Sequence, residues 1–368
     1  MEYTVCKRCI MDTSAADIVF DSNGFCNFCT DSINFMNQAK TDAKTRDTNL
    51  HHLIELLKQE GKGKDYDCIV GVSGGLDSSY VLYKAKEFGL RPLAVHLDNN
   101  WNSELAVNNI ERLVKHLNVD LITHVIDWQE FKELQIAFFK SNVIDIEMLT
   151  DHALIALLYQ CAVKFDCKYL LAGTNTASEG MTFPKEWNHF KIDLPNILDI
   201  YRRFGNGTKL RTFPMMSLKR YLMYKYIDKI KWTSILNYLD YKKENAIKEM
   251  VAIGWKPYEK KHYESVFTRF YQGYILPQKY NVDKRRIHFS TLICSGQMTR
   301  EQALKEIQEE CYESTELLNQ DKEYVLKKLD YSPDEFDAYI KAPGVLHSCY
   351  ATNEPYYNLL KRVQSFLA

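Results

Sequence analysis

The sequence predicts an α/β fold, a doubly wound parallel sheet with a small cysteine-rich module before it and a mainly helical part after it. Three observations lead there. Strand-like and helix-like stretches alternate from about 66 to 176, the mark of a parallel sheet with helices on both faces. Residues 66 to 79, YDCIVGVSGGLDSS, run from a short apolar strand into a glycine turn and a helix. Four cysteines stand in two matched pairs near the N-terminus.

Taken in order, residues 1–30 hold Cys6-Lys-Arg-Cys9 and Cys26-Asn-Phe-Cys29, with 16 residues between the pairs. That spacing fits a tetrahedral thiolate zinc site, each pair forming a knuckle, with Asp21-Ser-Asn-Gly24 as the turn before the second. A module this small depends on its metal for folding. Residues 31–60 read as a linker helix with His52, Leu53, Leu56 and Leu57 on one stripe. The α/β domain is expected over 61–190, with strands at 67–72, 91–97, 120–126 and 168–173 and helices near 78–88, 103–117 and 147–165. Residues 191–368 read as a mainly helical substrate-binding region.

Bulk composition narrows the class. Lys+Arg 47 against Asp+Glu 48 leaves a net charge of −1, so no basic field points to nucleic acid. No apolar run reaches the ~20 residues that span a bilayer. Charge interrupts MEYTVCKRC before any apolar core forms, so no secretory signal is read there and a cytoplasmic location is expected. Ten cysteines in that setting indicate metal or catalysis rather than disulfides.

The glycine turn carries the chemistry. A strand, a glycine turn and a helix N-terminus together make an anion site, because backbone N–H groups converge and the helix dipole favours negative charge. No Gly-Lys-Ser/Thr follows the glycines, which excludes the common nucleoside-triphosphate loop. Ser73, Ser78 and Ser79 offer hydroxyls, and Asp77 at the helix start can cap or help hold Mg²⁺. Asp98-Asn99-Asn100-Trp101 follows the second strand and Gly173-Thr174-Asn175-Thr176-Ala177-Ser178-Glu179-Gly180 the fourth, so both emerge on the same sheet edge. Further on, Lys284, Arg285 and Arg286 are adjacent cations suited to phosphate, His288 follows, and Ile287, Phe289, Leu292 and Ile293 read as a strand-like segment behind them.

SGGLDSS resembles the pyrophosphate loop (PP-loop) of the ATP pyrophosphatase superfamily, which implies ATP binding at Ser73, Gly74, Gly75, Asp77 and Ser78. The same resemblance implies nucleotide contacts at Asp98, Gly173 and Asn175, and catalytic carboxylates at Asp77 and Glu179 facing phosphate and Mg²⁺. CxxC…GxCNFC, SGGLDSS, GTNTxSEG, KHYES, VDKRRxHFSxLI and SGQMTREQAL together resemble the N-acetyl sugar amidotransferase family of bacterial surface-polysaccharide (lipopolysaccharide, O-antigen) pathways, from Cys6 to about Leu304. This resemblance implies conversion of an acetamido group on a nucleotide-linked sugar to an acetamidino group. An amide oxygen is a poor leaving group, so it would first attack the α-phosphate of ATP, giving an O-adenylyl imidate and pyrophosphate. Ammonia would then displace AMP. Lys284, Arg285, Arg286 and His288 are the expected sugar-nucleotide contacts.

Glu2 stands where an N-terminal-nucleophile glutaminase needs cysteine, and no cysteine lies in a Gly-x-Cys-x-Gly turn. Ammonia is therefore expected from solution or a partner. The family resemblance implies one like the glutaminase subunit of imidazole glycerol phosphate synthase, with its cyclase-like companion. The rival expectation is a PP-loop tRNA thiolation enzyme. Those usually carry Lys where Leu76 stands and a basic tRNA-binding face, which the charge balance disfavours.

Overall fold

The computed structural model describes residues 2–39, 42–260 and 263–367. Lys261 and His262 of the KHYES stretch lie outside the described residues. At the centre is a five-stranded sheet in the order β3-β2-β1-β4-β5. Its strands are β1 Cys68–Gly71, β2 Pro92–Asp98, β3 Leu121–Val125, β4 Tyr169–Leu171 and β5 Lys231–Thr233. All four pairings are parallel, with Val70 opposite both Ala94 and Leu171.

Alternation along β1 explains the two-sided burial. Cys68, Val70 and Val72 enter one core with Val81, Leu82 and Ile110 from helices Leu76–Glu87 and Glu104–Leu117. Ile69, with Leu93 and Val95 of β2, enters the other core with Leu134, Phe138 and Leu157 from helices Trp128–Ser141 and Met148–Lys164. A strand buried on both faces must read as an unbroken apolar run, which is what 68–72 is.

The first four strands match the expected positions. The fifth lies at 231–233, inside the stretch read as helical, and extends the sheet beyond residue 190. The segment behind the Lys284–Arg286 cations is a helix, Arg285–Cys294, and not a strand. Its buried residues are Ile287, Ser290 and Thr291, the i, i+3, i+4 stripe of a helix face. Before it, chain 266–280 is helical throughout, with a π turn at Tyr271–Ile275. Among the described residues no helix is long and apolar enough to cross a membrane.

Candidate active site

The phosphate loop sits where β1, the central strand, gives way to helix Leu76–Glu87. Gly74 has φ +82°, and a Cβ there would lie 2.6 Å from the Ala106 carbonyl oxygen. The Gly74 carbonyl accepts from Trp255 Nε1 and from the Tyr258 hydroxyl, both at 3.0 Å. Asn109 fixes that clamp by accepting from Lys256 N and donating to Lys256 O, each at 2.9 Å. Inside the loop the Ser73 and Ser78 hydroxyls lie 3.2 Å apart, and Ser73 Oγ accepts from Gly75 N at 3.3 Å. Gly75, at the N-cap, supplies no side-chain cap. The first-turn N–H groups have no partner within the helix, the arrangement from which the sequence predicts an anion site. Asp77 accepts from the Tyr241 hydroxyl. Burial and the Asp77 charge hold that phenol well above its ordinary range.

The other predicted loops reach this point in different ways. Gly173 follows β4 so closely that a Cβ on it would lie 2.9 Å from Ser78 N. Asn175 is buried, and its Oδ1 accepts from Ser178 N at 2.8 Å while its Nδ2 donates to Gly173 O. It shapes the loop that presents Glu179. Asp98 turns inward, accepting from Asn100 N at 2.8 Å and Asn102 Nδ2 at 3.1 Å, and holds the turn after β2. Both of these bonds fall on Oδ1.

Two cavities flank the loop. The larger, about 830 Å³, opens beyond the carboxyl ends of β1, β2 and β4 and is lined by Ser73, Ser78, Leu97, Leu154, Leu171 and Glu179. Its far wall comes from the C-terminal part of the chain: Ser265, Thr268, Gln272, Lys284, His288 and Thr291. The smaller, about 440 Å³, lies against the first turn of helix Leu76–Glu87. Lys284 is buried under the rings of Phe183 and Tyr271, with Nζ 3.8 Å from Glu147 Oε2. Burial raises the Glu147 carboxyl, with Lys284 pulling the other way.

Lys191, absent from the sequence-based site, lines the same wall with Nζ 2.5 Å from Asp145 and 3.0 Å from Asp151. Burial opposes ionisation of Asp145, but Lys191 and Lys284 overcome it and hold that carboxyl down at about 2. His152 Nδ1 donates to the Lys191 carbonyl at 2.8 Å and its Nε2 accepts from Met216 N, so it is a neutral positioning group, pushed by burial to about 4. Glu147 stands at the start of the helix expected over 147–165, Glu264 within KHYES and Lys191 in a segment without periodicity, and only contact in space brings the three to one cavity.

Arg285 and Arg286 are not brought to the cavity wall. Arg285 binds Asp283 and the Glu309 carbonyl. Arg286 pairs with Asp12 at 2.9 Å and donates to the Ile10 carbonyl at 2.9 Å. Successive residues on a helix point about 100° apart, so these three adjacent cations cannot close on one phosphate together.

The cysteine module is the third part. Sγ atoms of Cys6, Cys9, Cys26 and Cys29 are buried and all lie within 4.8 Å of one another. Cys6–Cys29 and Cys9–Cys26 are 3.7 and 3.6 Å apart. Zinc with Zn–S near ~2.3 Å would set tetrahedral sulfurs about 3.8 Å apart, so the four thiolates fit that ion. Arg8 Nε lies 3.2 Å from Cys29 Sγ, favouring the thiolate. Arg300 donates to the carbonyls of Cys6 and Cys9, and Ser290 Oγ accepts from Ile10 N.

Residues 50–210 match the NAD synthase family, and residues 264–364 match the family described as LPS biosynthesis protein WbpG-like, C-terminal domain. An uncharacterized protein of Methanocaldococcus jannaschii is 31% identical over 119 residues, which is 32% of this chain. The match spans 41% of the length of that protein. Among solved structures, the NH3-dependent NAD synthetase from Campylobacter jejuni is similar over 83% of this chain and 100% of its own, at 13% identity and a TM-score of 0.31. An NMN synthetase from Francisella tularensis is similar over 60% of this chain and 90% of its own, at 16% identity and a TM-score of 0.31.

Proposed function

From a chain that joins an NAD-synthase-type α/β domain to the WbpG-like C-terminal domain of lipopolysaccharide biosynthesis proteins, we propose an ATP-dependent amidotransferase. It converts an acetamido group of a nucleotide-linked sugar into an acetamidino group. One observation carries the reading. The larger cavity is walled on one side by the glycine-serine loop of the 50–210 match and on the other by Lys284, His288 and Thr291 of the 264–364 match. A ligand held by the second region would touch a nucleotide held by the first.

In this reading the first-turn N–H groups after Gly75, with Ser73 and Ser78, bind the triphosphate. The aliphatic patch at Leu97, Leu154 and Leu171 takes the adenine. Asp77 and Glu179 are the carboxylates that would hold Mg²⁺, which supplies neutralisation of charge on the departing phosphates. Lys284 and Lys191 draw the anionic part of the sugar nucleotide to the far wall, setting its amide against the α-phosphate. The amide oxygen bonds to the α-phosphorus and pyrophosphate leaves. Ammonia adds at the activated carbon, AMP departs and an amidine remains. A partner glutaminase, like the subunit that feeds imidazole glycerol phosphate synthase, is the proposed nitrogen source, with its cyclase-like companion.

Incubation with ATP, Mg²⁺, ammonium and a panel of diacetamido sugar nucleotides tests the proposal by mass spectrometry. The expected product is one mass unit lighter, oxygen replaced by NH, formed together with AMP. Formation of ADP, or a sugar nucleotide of unchanged mass alongside AMP, would sink it.

A further inference from the structure

Among the described residues four carboxylates line the larger cavity: Glu147, Asp151, Glu179 and Glu264. Glu179 and Glu264 also line the smaller cavity, and a Cβ placed on Gly75 of the phosphate loop would lie 3.5 Å from Glu264 Oε1. Asp151 pairs with Lys191 at 3.0 Å, and its side chain is 47% exposed. Glu147 differs from all three. Its side chain is only 12% exposed, Gln272 Nε2 donates to its Oε2 at 2.9 Å, and Thr268 bonds to the same carboxylate. Lys284 Nζ stands 3.8 Å from Oε2, near enough to favour the ion and too far for a hydrogen bond. Burial pushes the Glu147 carboxyl up, so its ionised form gains from a second cation. His288, which lines both cavities, donates its N–H to the Lys284 carbonyl at 3.4 Å. One helical turn, about 5.4 Å along the axis, therefore separates Lys284 from the wall beside the loop.

The acetamido group is neutral, but what it becomes is not. As a lone pair of the amide oxygen bonds to the α-phosphorus, the bond from that phosphorus to the bridging oxygen breaks and its pair leaves on pyrophosphate. The amide nitrogen keeps its hydrogen and shares its own pair with carbon, so the O-adenylyl imidate forms as a cation. Ammonia's lone pair then adds to carbon, one of its three protons passes to water, and the carbon–oxygen pair leaves on AMP. The amidine that remains is a strong base and stands as an amidinium at neutral pH. Positive charge thus builds on a planar nitrogen–carbon group, where a fixed carboxylate stabilises it most. An amidinium offers two parallel N–H groups, the fork that arginine offers to a carboxylate. We infer, on the amidotransferase reading above, that Glu147 is the carboxylate facing the reacting acetamido group and that it binds the amidinium fork. Gln272 and Thr268 aim it, and Lys284 keeps it ionised while the neutral substrate is bound.

Calorimetry on the full chain with a matched pair of sugar nucleotides tests the assignment, one carrying an acetamido group and the other an acetamidino group at the same carbon. In the unaltered chain the acetamidino compound should bind at least about tenfold tighter. Glu147→Gln keeps the shape and removes the charge. It should abolish that preference, while affinities for ATP and the acetamido compound stay within about threefold. Glu147→Asp, which draws the charge back by one methylene, should lose only part of it. Equal affinity of the unaltered chain for the two compounds overturns the assignment whether or not the variants fold. A preference that survives Glu147→Gln overturns it as well. Binding of neither compound by the unaltered chain would remove the amidotransferase reading and this inference with it. Binding of both without preference removes the inference alone.

Discussion

Gly74 and Gly63 both have positive φ, +82° and +78°, yet only one of them is crowded. A Cβ on Gly63 meets nothing within 4 Å, whereas one on Gly74 meets the Ala106 carbonyl at 2.6 Å. Gly63→Ala should therefore cost only the left-handed backbone penalty, about 1 kcal/mol. Gly74→Ala adds a backbone clash and should cost at least about 2 kcal/mol more, through displacement of the loop from helix Glu104–Leu117. Because the loop's N–H groups move with it, ATP affinity should fall at least about tenfold in Gly74→Ala and stay unchanged in Gly63→Ala. Thermal denaturation and ATP calorimetry on the pair check both parts. Equal ATP affinity in the two variants would separate the loop from the nucleotide. The same residue scale shows what the sequence could not carry. SGGLDSS announces its turn by composition, but the sequence does not show that Asp98 and Asn175 also hold their own loops, or that Arg286 reaches Asp12 and the Ile10 carbonyl far away in the chain.

Helix Arg285–Cys294 is the element where reading and structure part most usefully. Ile287 and Phe289 alternate like a strand, and the true helical stripe is hidden because two of its buried members, Ser290 and Thr291, are polar. On a helix the three cations diverge: Lys284 faces the larger cavity, Arg285 the Ile307–Glu309 carbonyls, and Arg286 the cysteine module. Strand β5 escaped notice for another reason: three residues, Lys231–Thr233, are too few to show a period. Strands β1, β2 and β4 were legible because they are buried from both sides. Arg286→Ala leaves Asp12, 2% exposed, without its ion pair. The expected cost is about 3 kcal/mol of stability. Sugar-nucleotide affinity in the folded variant should stay within about twofold of the unaltered chain. Denaturant titration and calorimetry read the two effects separately, and a large loss of affinity at unchanged stability would return Arg286 to the substrate.

On the scale of the whole molecule, the cysteine module and the cavity share a wall. Arg300 holds the carbonyls of Cys6 and Cys9, Arg286 holds Ile10, and Ser290 accepts from the Ile10 amide. Two of these three residues lie on the helix that also turns His288 and Thr291 into the larger cavity. The sheet and phosphate loop, by contrast, are also held by a core that takes in none of the described module residues, built on Val70, Val72, Val81 and Leu82, whereas the core on the other face of the sheet includes the four cysteines and Phe28. Metal held by the four thiolates would contribute folding free energy to the module. One zinc per chain is expected, and its removal should act unevenly. After stripping by a chelator, dialysis and return of Mg²⁺, ATP affinity should stay within about twofold while sugar-nucleotide affinity falls at least about tenfold. Hydrogen exchange should lose protection in 285–294 and keep it in β1 and β2, because local opening follows the elements that lost their support. Zinc should restore both. If the stripped protein binds sugar nucleotide as before, with 285–294 still protected, the module is a separate attachment and the far wall of the cavity stands without it.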